Sequence, residues 1–125
     1  MTLFFINARL IDPEAGTDSL GGLLVQDGKI AELLPEGTEP AQLFRARNID
    51  ASAVEIIDCA GKCLAPGIVD IGVKVCEPGE RHKESYKTAG LAAAAGGVTT
   101  IVTRPDTSPS IDSPETLEFV TRRAQ

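Results

Sequence analysis

The sequence has little of what secreted and membrane proteins usually carry. It contains only three cysteines and one histidine, and an odd number of cysteines suits a reducing compartment better than a disulfide framework. The apolar run near the N-terminus, Leu3–Ile6, ends after four residues, and no positively charged leader precedes it. We therefore expect neither a signal peptide nor a membrane helix, and the sequence predicts a cytoplasmic protein.

Positive charge is also scarce. Lys and Arg number 12 against 18 Asp and Glu, which gives a net charge of −6, and the largest basic cluster is the pair Arg122-Arg123. This balance disfavours nucleic acid and anionic membranes as partners. With 42% hydrophobic and 24% charged residues, the composition is typical of a soluble globular protein.

Residues 1–62 are predicted to form a small β-structure. Apolar runs predict strands at residues 3–11, 23–25, 30–34 and 54–57. The dipeptide Asp27-Gly28 between two of these runs predicts a hairpin, because both residues can take a positive φ. A short helical turn is expected at residues 41–46, and Cys59–Lys62 is expected to close the last strand.

Residues 63–125 follow a different rhythm. We expect a strand at residues 68–75, a helix at 85–95 ended by Gly96-Gly97, and a strand at 98–102. A second helix should begin at Ser113-Pro114-Glu115, which supplies an N-cap, a proline at the first position and an acid near the positive helix end. This alternation of strands and helices predicts a parallel α/β fold. Two strand–helix units cannot close a barrel, which needs eight.

Alternation along the strand at residues 68–75 predicts two different faces. The apolar face, expected beneath the helices, consists of Val69, Ile71, Val73 and Val75. The opposite face, expected inside a barrel, consists of Asp70, Gly72, Lys74 and Cys76. Because barrel enzymes place their active sites at the C-terminal strand ends, the second face is the candidate site.

Several motifs carry a resemblance to a known family. Residues 64–70 (LAPGIVD), followed by Glu77-Pro78-Gly79, resemble the first barrel strand of dihydroorotases and related cyclic amidohydrolases. His82-Lys83-Glu84, residues 92–100 (AAAAGGVTT) and residues 105–114 (PDTSPSIDSP) extend the resemblance over residues 54–117. It implies an α/β fold in which a small β-sandwich segment, residues 1–62, precedes the first two units of an incomplete (β/α)8 TIM barrel, residues 63–125.

The positions of the family's metal ligands hold other residues in this chain. After Asp70 the family pattern is x-His-x-His-x-Arg-Glu-Pro-Gly, in which two imidazoles on one strand face bind zinc that helps to activate water. Gly72 and Lys74 stand at these two positions. Glycine offers no ligand, and a lysine ammonium has no free lone pair at neutral pH. No metal is therefore predicted, although the family uses zinc.

The positions that the family uses for substrate are altered as well. The arginine that binds the substrate carboxylate is Cys76 here, and a thiol cannot make the bidentate contact of a guanidinium. The asparagine of the second loop is Asp106, which would repel a carboxylate. No catalytic residue is predicted, whereas the surrounding scaffold residues match the family: Pro66, Gly67, Asp70, Glu77, Pro78 and Gly79.

The resemblance implies a dihydroorotase-like protein without catalytic activity. Some homologues that lack the metal ligands are non-catalytic partners of aspartate carbamoyltransferase in pyrimidine biosynthesis, and we expect such a structural role here. One alternative is a working dihydroorotase or cyclic amidohydrolase with other ligands; another is a non-enzymatic oligomeric scaffold. We also expect contact with the remainder of its own barrel and a homo-oligomer.

Several individual residues have two possible interpretations, one chemical and one structural. Lys74 could be a buried charge in place of the metal, or its ammonium could extend to water, which is commoner. Asp70 could be a base or a hydrogen-bonding barrel residue, and Asp106 could bind a cation or lie solvated in a turn. A structural zinc site is a further alternative to plain structural roles for Cys59, Cys63, Cys76 and His82.

Overall fold

The computed structural model describes residues 1–125, which divide into two compact units. The first unit is Met1–Pro66 and the second is Gly67–Gln125. The boundary expected after residue 62 lies later because the short strand Cys63–Leu64 pairs with the N-terminal strand and belongs to the first unit.

The first unit contains one five-stranded sheet. Its strands are β1 (Thr2–Asp12), β2 (Thr17–Gln26), β3 (Lys29–Pro35), β4 (Val54–Asp58) and β5 (Cys63–Leu64). The order is β3-β2-β1-β4, with β5 also paired to β1. The first three strands are antiparallel, whereas β4 and β5 run parallel to β1. All of the predicted strands of this unit are present.

Local chemistry explains the two hairpins of this sheet. Asp27 and Gly28 have φ values of 50° and 75° between β2 and β3, which confirms the predicted turn. Between β1 and β2, the Asp12 carboxylate accepts hydrogen bonds from the backbone N–H groups of Glu14 at 2.9 Å and Ala15 at 3.2 Å. A carboxylate that satisfies backbone donors two and three residues ahead stabilises a turn.

One helix covers one face of the sheet. Helix α1, Pro40–Arg47, is longer than the predicted turn and buries Leu43 and Phe44. Phe44 packs its ring edge against Phe4 of β1, with ring centroids 5.9 Å apart, and Leu24 and Leu34 complete this core. The first unit thus supplies one sheet layer with a helix on one side.

The second unit shows the predicted strand–helix order. Its elements are β6 (Ile68–Val73), α2 (Tyr86–Ala95), β7 (Val98–Thr103) and α3 (Pro114–Ala124). Strands β6 and β7 pair in parallel, as a βαβ crossover requires. Ser85 caps α2 and Ser113 caps α3, each accepting a hydrogen bond from the backbone N–H three residues later. No helix of the chain is both long and apolar enough to span a bilayer.

The core of the second unit corrects one expectation about β6. The four apolar residues predicted to share a face are divided: Val75 is buried with Val73 beside it in the helix-facing core, whereas Ile71 is 76% exposed and Val69 is 58% exposed. The reason is a slip in register, since Ile71 pairs with Val102 but Val73 pairs with Thr103. One extra residue moves the following side chains to the other face.

Candidate functional site

The candidate site lies where β6 and β7 end. Parallel strands place their carboxyl ends at the same edge of a sheet, so Lys74 and Cys76 after β6 come near Arg104 and Asp106 after β7. The backbone N–H of Arg104 donates a hydrogen bond to the carbonyl oxygen of Val73 at 2.9 Å. This bond joins the two strand ends and fixes the positions of the side chains that follow.

An ion-pair cluster forms at this edge. The Lys74 Nζ lies 3.6 Å from the Asp106 Oδ2, and the Arg104 Nη2 donates to the same oxygen at 2.9 Å. The structure therefore brings together two of the predicted site residues and adds Arg104 to them. The Lys74 side chain is 55% exposed, so its ammonium is solvated as well as paired rather than buried.

The two cations fix the charge of Asp106. Burial by itself raises the pKa of the Asp106 carboxyl. The positive charges of Arg104 and Lys74 lower this pKa by more than burial raises it, so it lies below its ordinary value. Asp106 is therefore an anion at neutral pH. A carboxylate held in this form by two cations is a poor proton acceptor, because an effective general base has a pKa near the working pH.

The other two predicted site residues do not join the cluster. Gly72 has a φ of 82°, and a Cβ placed on it would meet no atom within 4 Å. Cys76 is half-buried, and its carbonyl oxygen accepts a hydrogen bond from the Glu80 N–H at 2.8 Å. The edge thus holds a thiol and a bare backbone beside three charged groups.

Glu77 is a buried anion next to these residues. Only 2% of it is exposed. Its Oε1 accepts a hydrogen bond from the Arg123 Nε at 2.7 Å, and its Oε2 accepts one from the Tyr86 N–H at 3.1 Å. Burial raises the pKa of Glu77, but these hydrogen bonds and the nearby cations lower it below its ordinary value. Glu77 connects the segment after β6 to the start of α2 and the end of α3.

The remaining candidate residues are exposed or half-buried. Asp70 and His82 are exposed, Cys59 is half-buried and Cys63 is exposed. No group of three or more His, Cys, Asp or Glu side chains converges in a way that could hold a metal ion. The four residues considered for a structural zinc site are not assembled into one.

Comparison with known proteins identifies the family. The family model described as Dihydro-orotase-like matches residues 61–125. The chain belongs to this family. The dihydroorotase of Ehrlichia chaffeensis is 43% identical over 124 residues, which cover 99% of this chain and 26% of that protein. The dihydroorotase of Bacillus cytotoxicus is 45% identical over 125 residues, covering 100% of this chain and 26% of that protein. The chain thus spans about a quarter of the length of these relatives.

A solved structure shows the same fold. The L-hydantoinase (dihydropyrimidinase) of Arthrobacter aurescens matches with a TM-score of 0.76 and 24% identity, over 98% of this chain and 24% of that one. This similarity confirms the predicted fold class, the start of an amidohydrolase TIM barrel after a small β-segment. The β6–α2–β7–α3 order is that of the first two barrel units.

The residues at the two positions where the family resemblance expects metal ligands do not fit a metal. Position 72 offers only a backbone in a left-handed conformation, and position 74 offers an ammonium already paired with Asp106. A cation repels a dication, and neither position supplies the lone pair that zinc needs. No catalytic step through a metal can be derived from these residues.

Sequence reasoning missed two arginines that form ion pairs in this region. Arg104 directly follows β7, so its place at the same edge as Lys74 was available as a signal. Arg123 is separated from its partner Glu77 by 46 positions, and a contact across that distance leaves no local pattern in the sequence.

Proposed function

We propose that this dihydroorotase-like protein does not hydrolyse dihydroorotate and that it serves pyrimidine biosynthesis as a structural partner of aspartate carbamoyltransferase. The observation that carries the proposal is the ion pair between Lys74 and Asp106, 3.6 Å apart. An ammonium stands where the family resemblance expects a metal ligand, and its counter-ion stands where that resemblance expects a substrate-binding amide.

The chemistry of the edge supports the loss of hydrolysis. Attack of water on a ring amide requires a Lewis acid or a base that activates the water. Asp106 is kept ionised by Arg104 and Lys74, and these two cations are engaged with it. Cys76 replaces the expected arginine and cannot bind a carboxylate in a bidentate manner. The residues at this edge therefore provide neither a group that activates water nor the arginine expected to bind an anionic substrate.

The first experiment measures metal and turnover on the complete protein. We expect less than stoichiometric zinc by elemental analysis and no hydrolysis of dihydroorotate above the uncatalysed rate. The Bacillus cytotoxicus dihydroorotase, assayed in parallel, is the matched control. Turnover by the unmodified protein would overturn the proposal in favour of an amidohydrolase with other ligands.

Variants in which a single histidine of the family pattern is introduced provide a second test. Gly72→His alone leaves Lys74 to repel a dication, and Lys74→His alone leaves one imidazole on the strand. We expect neither variant to gain dihydroorotate hydrolysis. Turnover by either variant would show that the site is one substitution away from catalysis, and it would contradict the argument that several catalytic groups are missing at once.

The partner is tested by association. The family resemblance supports aspartate carbamoyltransferase as the partner, because some homologues without metal ligands are non-catalytic partners of that enzyme. We expect the complete protein to co-sediment with purified aspartate carbamoyltransferase as a complex larger than either component. Cell fractionation should find the protein in the cytoplasm. Separate sedimentation at micromolar concentrations would favour a homo-oligomeric scaffold outside pyrimidine metabolism.

A further inference from the structure

Gly72 lies where the pairing of β6 with β7 slips. Ile71 pairs with Val102, and Val73 pairs with the next residue of β7, Thr103. Three residues of β6 therefore lie opposite two of β7, and Gly72 is the extra one. Its φ of 82° lies in the region that side chains of L-residues rarely adopt. An extra glycine with positive φ is the signature of a β-bulge.

The bulge changes which side chains share a face. Val73 and Val75 both contact the helix-facing core, so Lys74, which lies between them, points to the other side. Ile71 is 76% exposed and also lies away from that core. Lys74 therefore lies on the same face of the sheet as Ile71. In a regular strand it would lie on the same face as position 72.

We propose that Gly72 and the bulge it permits separate positions 72 and 74, so that side chains placed there cannot converge on one metal ion. On a regular strand, side chains two residues apart point to the same face and can bind one ion. The bulge places an extra residue in the strand, so positions 72 and 74 no longer share a face. The metal site is thus lost in the backbone as well as in the side chains. This inference rests on the proposed loss of the metal site and deepens it.

Substitution at Gly72 tests the backbone conformation in the complete protein. A positive φ is tolerated by asparagine better than by alanine, and worst by a β-branched residue. We therefore expect melting temperatures in the order Gly72, Gly72→Asn, Gly72→Ala and Gly72→Val, from highest to lowest. An ordinary strand position would reverse the last three, because strands favour valine over alanine and asparagine.

Val102 provides the matched control, since it pairs with Ile71 and is 51% exposed in the same sheet. At this position we expect the ordinary strand order, with Val102→Ala more stable than Val102→Asn. If Gly72→Val equals or exceeds Gly72→Asn in melting temperature, the bulge is absent and the inference fails. Residual dipolar couplings of unmodified protein give the φ of Gly72 without any variant, and an extended value would likewise overturn it.

Zinc binding tests the consequence for the two positions. We expect the Gly72→His/Lys74→His double variant to bind zinc no more than twofold tighter than Lys74→His, measured by calorimetry with zinc chloride. A gain of tenfold or more in a variant whose residue 72 keeps its positive φ would show that the two positions converge on the bulged backbone, and it would overturn the inference. Failure here is distinguishable from failure of the proposed function, which is decided by turnover of the unmodified protein.

Discussion

Glu77 is the one charged side chain that the fold buries, with 2% of it exposed. A carboxylate in such a place is costly unless it is paired and hydrogen-bonded. Arg123 and the Tyr86 N–H supply these bonds at 2.7 and 3.1 Å, and Arg81 adds a charge at 3.6 Å. A residue that the sequence marks only as part of a family motif is therefore an anchor for both helices of the second unit.

We predict that Glu77→Gln destabilises the complete protein by about 2 kcal/mol, because a hydrogen bond to a charged partner is lost and Arg123 is left without its counter-ion. The amide can still accept from the Tyr86 N–H, so the fold should persist. Chemical unfolding measures the difference. Glu80→Gln is the control, since Glu80 pairs with Lys83 at the exposed surface, and it should change stability little. Equal stability of the two variants would contradict the assigned role of Glu77.

The same contacts predict a dependence on pH. Because the pKa of Glu77 is lowered in the folded state, its contribution to stability is present above the ordinary carboxyl pKa of roughly 4 and is lost as pH falls through the lowered value. The melting temperature of unmodified protein should exceed that of Glu77→Gln at pH 7, and the gap should narrow on acidification. A gap that stays constant down to pH 2 would show that ionisation of Glu77 is not the cause.

At the scale of elements, α2 depends on its first turn. The Ser85 Oγ accepts from the Thr88 N–H at 3.2 Å, and the Thr88 Oγ1 accepts from the Ser85 N–H at 2.9 Å. This reciprocal arrangement satisfies two backbone donors that a helix start leaves free. It also holds Tyr86 and Ala89 in the core beside Val75.

We expect Ser85→Ala to cost about 1 kcal/mol, the usual effect of losing an N-cap side chain. Urea unfolding of the complete protein measures it. Ser110, an exposed loop serine, supplies the control, and Ser110→Ala should leave stability nearly unchanged. If the two alanine variants unfold at the same urea concentration, the capping bonds contribute nothing to the stability of α2.

The elements that the sequence predicts correctly are those set by neighbouring residues. Asp27-Gly28 specifies its turn, and Ser113-Pro114 specifies the start of α3, because each signal acts within a few positions. The division of the β6 faces was predicted wrongly because register depends on β7, which lies about thirty positions further along the chain. A glycine within a β-branched strand was nevertheless a usable signal, since Gly72 marks the bulge.

The candidate site follows the same rule. Gly72, Lys74, Cys76 and Asp106 were singled out by comparison with a family pattern, whereas the contact of Lys74 with Asp106 required the parallel pairing of β6 and β7. The strand ends could be placed at one edge from the predicted topology alone. Which side chains meet there depends on the bulge and on the bond between Arg104 and Val73.

At the scale of the molecule, the second unit leaves much apolar surface uncovered. Its two-stranded sheet has a free edge on each strand. Large apolar side chains that are more than 40% exposed are Ile68, Val69, Ile71, Leu91, Val102, Leu117 and Phe119. Free strand edges and contiguous apolar surface favour association with further protein. The chain spans about a quarter of the length of its relatives.

We therefore predict that residues 1–125, expressed alone, associate rather than remain monomeric. Ile71 and Val102 are paired neighbours that are 76% and 51% exposed, so burying them between copies removes apolar area from water. Sedimentation velocity should show a mean mass that rises with concentration. Threonine keeps the strand propensity but adds a hydroxyl, so the Ile71→Thr/Val102→Thr variant should associate less. Lys87→Thr, on the exposed surface of α2, should behave as unmodified chain does. A monomer with a sharp two-state melt would instead show that these residues form a self-sufficient folding unit.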